Sequence, residues 1–300
     1  MPTEPSAFIQ AHRMLRVSGL EPFRQWQLAL VVLLVTYLPL AILWFGYDAL
    51  MSAAAMAIYD SEEGLAGGGM DPILAQTLIH GTDSVGVLLL LFGVVGYPFI
   101  IWGMVVWWRS QGAGITVRAS LKSLWWVGVI YLIPMVVSGI SALPLYFADF
   151  DEGYLGGELV SYPEPSLLLP NLLTFLSYWL IFRLAAALVT AAQGQGMGLK
   201  AGWQVSAADN GLTAFIALDL TVLSLLLDAA SKFLAEISNA RWERELENHD
   251  LDMTSLTLFD SAVTGAESLV VTWLIFVELA LVWSLAQRYR QGKTDFRESL

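Results

Sequence analysis

The chain has 300 residues, 56% of them hydrophobic and only 14% charged, with a mean hydropathy of +0.62; a soluble globular domain carries about a quarter charged residues. With a net charge of −12 and no Cys, this balance excludes a disordered chain, a nucleic-acid binder, an ordinary cytosolic enzyme, a disulfide framework, thiolate catalysis and cysteine metal sites. The class that remains is an all-α membrane protein.

Residues 1–25 read as a cytoplasmic, interfacial N-terminal segment, 26–287 as a six-helix transmembrane domain, and 288–300 as a cytoplasmic tail. Six hydrophobic stretches, Trp26 to Phe45, Val85 to Trp108, Leu124 to Phe147, Leu167 to Ala192, Leu212 to Leu234 and Ser268 to Ala286, each approach the roughly 17 to 25 residues that a spanning helix needs. The first is too long for the h-region of a cleaved signal peptide and is followed by five more spans, so it is kept as a helix. Trp26, Trp44, Trp107, Trp108, Trp125 and Trp126 lie at span ends, where amphipathic rings prefer the headgroup level.

Eleven basic residues fall on one side: Arg13, Arg16 and Arg24 before the first span, Arg109, Arg118 and Lys122 after the second, Lys200 after the fourth, and Arg288, Arg290, Lys293 and Arg297 after the sixth. The opposite loops are acidic, with Asp48, Asp60, Glu62, Glu63, Asp71 and Asp83 in the first, Asp149, Asp151, Glu152, Glu158 and Glu164 in the second, and Glu243, Glu245, Glu247, Asp250, Asp252 and Asp260 in the third, where Arg241 and Arg244 are the only basic residues. Lys and Arg set orientation, so both termini are expected to be cytoplasmic.

The chain repeats itself. Gln111 onward reads Q-G-A-G-I-T-V-R-A-S-L and Gln193 onward reads Q-G-Q-G-M-G-L-K-A-G-W; Gln291-Gly292, followed by R-E-S-L at Arg297 to Leu300, makes a shorter third copy. Each copy follows an even-numbered span, which predicts three hairpins in the same orientation, about 26–108, 124–192 and 212–287, related by an axis along the membrane normal. Glycines end the preceding helix, and Ile115 to Ser123 and Met197 to Asp209 are expected to form short amphipathic helices in the cytoplasmic interface. The G-x-G-x-G from Gly194 to Gly198 follows a span rather than a strand, so a turn is preferred to a nucleotide loop.

The stretch Tyr178 to Asn210, Y-W-L-I-F-R-L-A-A-A-L-V-T-A-A-Q-G-Q-G-M-G-L-K-A-G-W-Q-V-S-A-A-D-N, resembles the recurring unit of a bacterial integral inner-membrane family. That family is the membrane domain attached to some glycerophosphodiester phosphodiesterases, together with stand-alone members of unknown function. The shared pattern is an Arg within a span, a run of small residues, a glycine turn and a basic segment carrying Trp. Here Asp209-Asn210-Gly211 replaces the family's Arg-Gly-Asn-like step. The resemblance implies a fold and gives no reason to assign phosphodiesterase chemistry.

Ionisable residues inside a bilayer are costly and face the bundle interior or a cavity. Arg183 lies ten residues before Gln193, Asp219 nine after Asn210, and Glu278 ten before Arg288, which places all three about 13 to 15 Å from the cytoplasmic edge. They are expected to form an intramembrane polar cluster, either a proton or cation relay or an interhelical clamp. On the fifth span Thr221, Ser224, Asp228 and Lys232 make a polar stripe, with Asp228 and Lys232 spaced as a secondary ion pair near the external interface. Pro39, Pro98, Pro134 and Pro170 free carbonyls within spans, for cavity lining or for ordinary packing.

No cofactor or metal is expected. Asp149 to Gly153 begins like a calcium loop but has Val160 at the twelfth position, and His12, His80 and His249 lack the H-E-x-x-H spacing. Gly64 to Gly69 and the charged run Trp242 to Asp252 are candidate contacts for a periplasmic partner. The leading functional reading is a non-catalytic polytopic inner-membrane protein whose partners are the lipid bilayer or other membrane proteins, with no nucleic acid; oligomeric state is not encoded legibly. The alternative is a small secondary transporter or channel using Arg183, Asp219 and Glu278. An intramembrane enzyme would need a paired nucleophile and base, or a ligand cluster, which the sequence does not offer.

Overall fold

The computed structural model describes residues 6–42, 83–111, 114–152, 168–196, 198–248 and 253–298. The acidic loop residues of 43–82, 153–167 and 249–252, with the Gly64–Gly69 tip, His80 and His249, lie outside them. Among the described residues the structure is helical, with no strand. The helices are α1 (Ala7–Arg24), α2 (Trp26–Ile42), α3 (Asp83–Ser110), α4 (Leu121–Glu152), α5 (Leu168–Arg183), α6 (Ala185–Ala192), α7 (Leu199–Val205), α8 (Asn210–Asn248) and α9 (Met253–Glu298). A 3-10 turn, Ser206–Asp209, joins α7 to α8.

Two stretches of described helix, Leu199–Leu234 and Ala262–Gln291, are long and apolar enough to cross a membrane. The number rises to four if each of two broken pairs, Ala7–Arg24 with Trp26–Ile42 and Leu169–Arg183 with Ala185–Ala192, acts as one span.

The chain divides into two compact units, 27–124 and the remainder. In the first unit α2 and α3 approach closely because glycine leaves room: a Cβ on Gly103 would collide with Thr36 Oγ1, and one on Gly96 would lie 2.7 Å from Leu40 Cδ2. After Ser110 the chain turns through Gly114, whose φ of +81° is the left-handed conformation that glycine adopts without penalty.

The short helix expected over Ile115 to Ser123 does not form; residues 114–120 are irregular. Two physical reasons converge. Ile115, Thr116 and Val117 are consecutive β-branched residues, which lose side-chain freedom in a helix, and side chains of α3 compete for the backbone. Trp102 Nε1 donates to Val117 O at 2.9 Å, Arg109 Nη1 donates to Arg118 O at 2.9 Å, and Thr116 N donates to Ser110 Oγ at 2.9 Å. Helix resumes where Ser120 Oγ accepts from Ser123 N at 3.1 Å, an N-terminal cap. The corresponding stretch after Gln193 contains Leu199, Lys200 and Ala201, which are good helix formers, and there α7 does form.

In the second unit α5 and α6 meet at a break. The fourth hydrophobic stretch, expected as one span, bends by 55° between Leu169–Arg183 and Ala185–Ala192. All eight residues of α6, A-A-A-L-V-T-A-A, are buried; small side chains let neighbouring backbones come close. A Cβ on Gly202 of α7 would lie 2.8 Å from Ala187 Cβ and 3.3 Å from Ala187 N, so α7 rests directly on α6. The intervening turn uses Gly194 at φ +77° and Gly196 at φ +32°.

Within residues 1–25, α1 packs along α8 and α9. Its buried positions Ala11, Ser18 and Pro22 form a narrow stripe of small residues, which permits that close approach. The Phe8 and Phe215 rings meet edge to face at 5.8 Å, and Trp273 Nε1 donates to Gly19 O at 2.9 Å. The tryptophans also divide: Trp26, Trp125 and Trp126 are exposed as anchors would be, whereas Trp107 and Trp108 are fully buried. Asp149, Asp151 and Glu152 lie in the last turn of α4 rather than in a loop, and Trp242 to Asn248 continue α8.

Candidate functional site

The three ionisable residues expected to share a midplane cluster occupy three different settings, all within the second unit. Arg183 ends α5 and is 4% exposed. Its Nη1 donates to Ser206 O at 2.6 Å, while Ser206 Oγ donates back to Arg183 O at 2.8 Å. The exchange is reciprocal: the carbonyl released by the break at Leu184 is satisfied by the serine hydroxyl, and the carbonyl at the 3-10 turn is satisfied by the guanidinium. Above this the guanidinium carbon lies 4.4 Å from the Trp203 ring centroid and 5.8 Å from that of Trp179, whose rings pack edge to face at 5.6 Å. Arg183 is therefore a clamp between the α5–α6 break and α7.

Asp219, on α8, interacts electrostatically with His12 of α1, and its Oδ2 is enclosed without a hydrogen-bond partner among the described residues. Glu278, on α9, accepts a hydrogen bond from Tyr131 Oη of α4 at 3.3 Å. It lines a cavity of about 200 Å³ with Tyr131, Met135, Thr174, Ser177, Tyr178 and Ile181. Neither carboxylate forms an ion pair with Arg183 among the described residues, so the cluster is not assembled. Equal depth along the chain placed the three residues at one level without fixing the direction in which each helix turns its side chain.

Asp228 and Lys232 are joined: Lys232 Nζ donates to Asp228 Oδ2 at 2.8 Å, with both side chains largely exposed. Of the remaining stripe, Thr221 Oγ1 donates to its own helix at Ala217 O, and Ser224 and Asp228 line a second cavity of about 260 Å³ with Glu267 of α9.

At the end of α9 further polar ties appear. Arg288 donates from Nε and Nη2 to the two carboxylate oxygens of Asp209 at 3.0 and 3.3 Å, and Arg290 Nη2 donates to Gln193 Oε1 at 2.6 Å. The Gln of the repeated Gln-Gly step thus accepts from a basic residue of α9, which its repetition alone does not reveal. Of the partners of Arg183, Trp179 carries a sequence signal, since a Trp one helical turn before a buried Arg favours stacking, whereas Trp203 and Ser206 carry none. Tyr131 and Tyr178 carried no sequence signal beyond being polar-tipped aromatics in apolar runs.

Comparison with protein-family models, with curated proteins and with solved structures finds no match to this chain.

Proposed function

We propose that the chain is a non-catalytic polytopic protein of the bacterial inner membrane, with six spans in three same-orientation hairpins and both termini cytoplasmic, whose role is contact with lipid or with membrane-protein partners. The observation that carries this is the outward apolar surface of the most hydrophobic helices. In the most apolar window of Leu199–Leu234 only 33% of the residues are buried within the chain, and Leu218, Val222, Leu226 and Phe233 are exposed along it. Such a surface requires hydrocarbon or another apolar helix around it. The resemblance of Tyr178 to Asn210 to the membrane domain that accompanies some glycerophosphodiester phosphodiesterases is consistent with a supporting, non-hydrolytic role, and the acidic loops offer a face to a periplasmic partner.

The test is a photo-crosslinking residue at Leu226 or Phe233 in the full chain in cells. Crosslinks to lipid or to one discrete membrane protein are expected; recovery of the chain in the soluble fraction, without either adduct, contradicts the reading. A second reading, a small secondary transporter or channel, is favoured by one observation, the carboxylate of Glu278 in its cavity, and now rests on that residue in place of the three-residue cluster.

A further inference from the structure

The walls of the Glu278 cavity have an uneven chemistry. Glu278 is the one carboxylate among the residues lining it, and the hydrogen bond from Tyr131 occupies one of the roughly four lone-pair sites a carboxylate offers. No Lys, Arg or His forms an ion pair with it among the described residues. The two aliphatic hydroxyls have already committed their hydrogens: Ser177 Oγ donates to Pro134 O at 2.8 Å, and Thr174 Oγ1 donates to Pro170 O at 3.0 Å. Each hydroxyl has a single hydrogen, so what remains on both is oxygen lone pairs. These oxygens accept hydrogen bonds, and ionised Glu278 adds a negative charge, which together suit a cation and repel an anion.

The other walls decide which cation. Tyr131, Tyr178, Met135 and Ile181 give the cavity aromatic and apolar sides. An alkali ion in a dry site needs a ring of oxygens to replace its water, and a divalent ion needs about six, usually with more than one carboxylate. An alkylated ammonium needs neither, because its charge is spread over methyl groups that favour aromatic faces and hydrocarbon. The volume of about 200 Å³ is more than ten times the ~10–15 Å³ that admits one water, so it has room for an organic ion. We propose that the cavity between α4, α5 and α9 binds a small organic ammonium ion, with Glu278 as counter-charge and Tyr131 and Tyr178 as aromatic walls.

This goes beyond either functional reading, since a bound ammonium is as compatible with a fixed ligand as with a transported one. The test is equilibrium dialysis of labelled tetramethylammonium against the full chain in lipid nanodiscs, with potassium as competitor. Saturable binding at one site per chain is expected, with potassium ineffective at the same concentration. Glu278→Gln keeps an oxygen for Tyr131 and is expected to weaken binding at least ~tenfold, the loss of one ionic contact. Tyr178→Leu is expected to weaken it several-fold and Tyr178→Phe to leave it nearly unchanged, since the ring face is what the cation needs. Met135→Trp, at a partly exposed position, fills the cavity while sparing the carboxylate and is expected to abolish binding even if Glu278→Gln fails to fold. Wild-type chain that takes up no tetramethylammonium at about millimolar concentration, equal affinity in Glu278→Gln or Met135→Trp, or equal competition by potassium overturns the proposal. The crosslinking result at Leu226 and Phe233 is unaffected by any of these outcomes.

Discussion

Arg183 illustrates what a single residue discloses and withholds. An Arg inside an apolar run is visible in the sequence, because burying a guanidinium without partners is costly and it must therefore be held. Its partner was not visible: it is the backbone carbonyl of Ser206, 23 residues further on, and backbone groups leave no trace in residue identity. The carboxylates at equal depth were the obvious candidates and are not the ones used. Replacing Arg183 with Gln removes a charged hydrogen bond and the stacking on Trp203, so a loss of about 2–4 kcal/mol is expected in denaturation of the detergent-solubilised chain. Arg183→Lys is expected to restore less than half of it, since an ammonium cannot stack as a planar guanidinium does.

At the scale of elements, the glycine turns were legible and the helices on either side of them only partly so. Gly114 and Gly196 occupy matched positions in the repeat, both have positive φ, and a Cβ on either meets nothing within 4 Å. The penalty of Ala there is consequently one of backbone conformation alone, and Gly114→Ala and Gly196→Ala are each expected to cost about 1–2 kcal/mol in the same unfolding assay. The linkers after them differ because one begins with β-branched residues and the other reaches the helix formers Leu199, Lys200 and Ala201, a distinction that the mixed polar and apolar pattern of both concealed. The packing of α1 against α8 and α9 was likewise not legible. Its Arg13, Arg16 and Arg24 suggested a surface segment, whereas the stripe of Ala11, Ser18 and Pro22 determines how it packs. Trp273→Phe removes the indole donor to Gly19 O and is expected to cost about 1 kcal/mol, read as faster amide exchange along α1 with little change in α7.

For the whole molecule, the helical class and the presence of helices apolar enough to cross a membrane were legible, since composition and hydropathy respond directly to the solvent that surrounds a chain. Helix rotation and breaks were less legible, because they depend on neighbours whose identity hydropathy does not encode: the bend at Leu184 and the separation of Arg183, Asp219 and Glu278 both arise from packing. The proposed topology threads the chain six times through the membrane with both ends inside. The absence of Cys makes single substitutions clean reporters for a membrane-impermeant maleimide applied to spheroplasts. With that topology, Ser61→Cys, Ser161→Cys and Thr254→Cys are expected to be labelled from outside, while Gln195→Cys and Thr294→Cys are labelled only after permeabilisation. Labelling of Gln195→Cys in sealed cells, or protection of any of the three external positions, would contradict it.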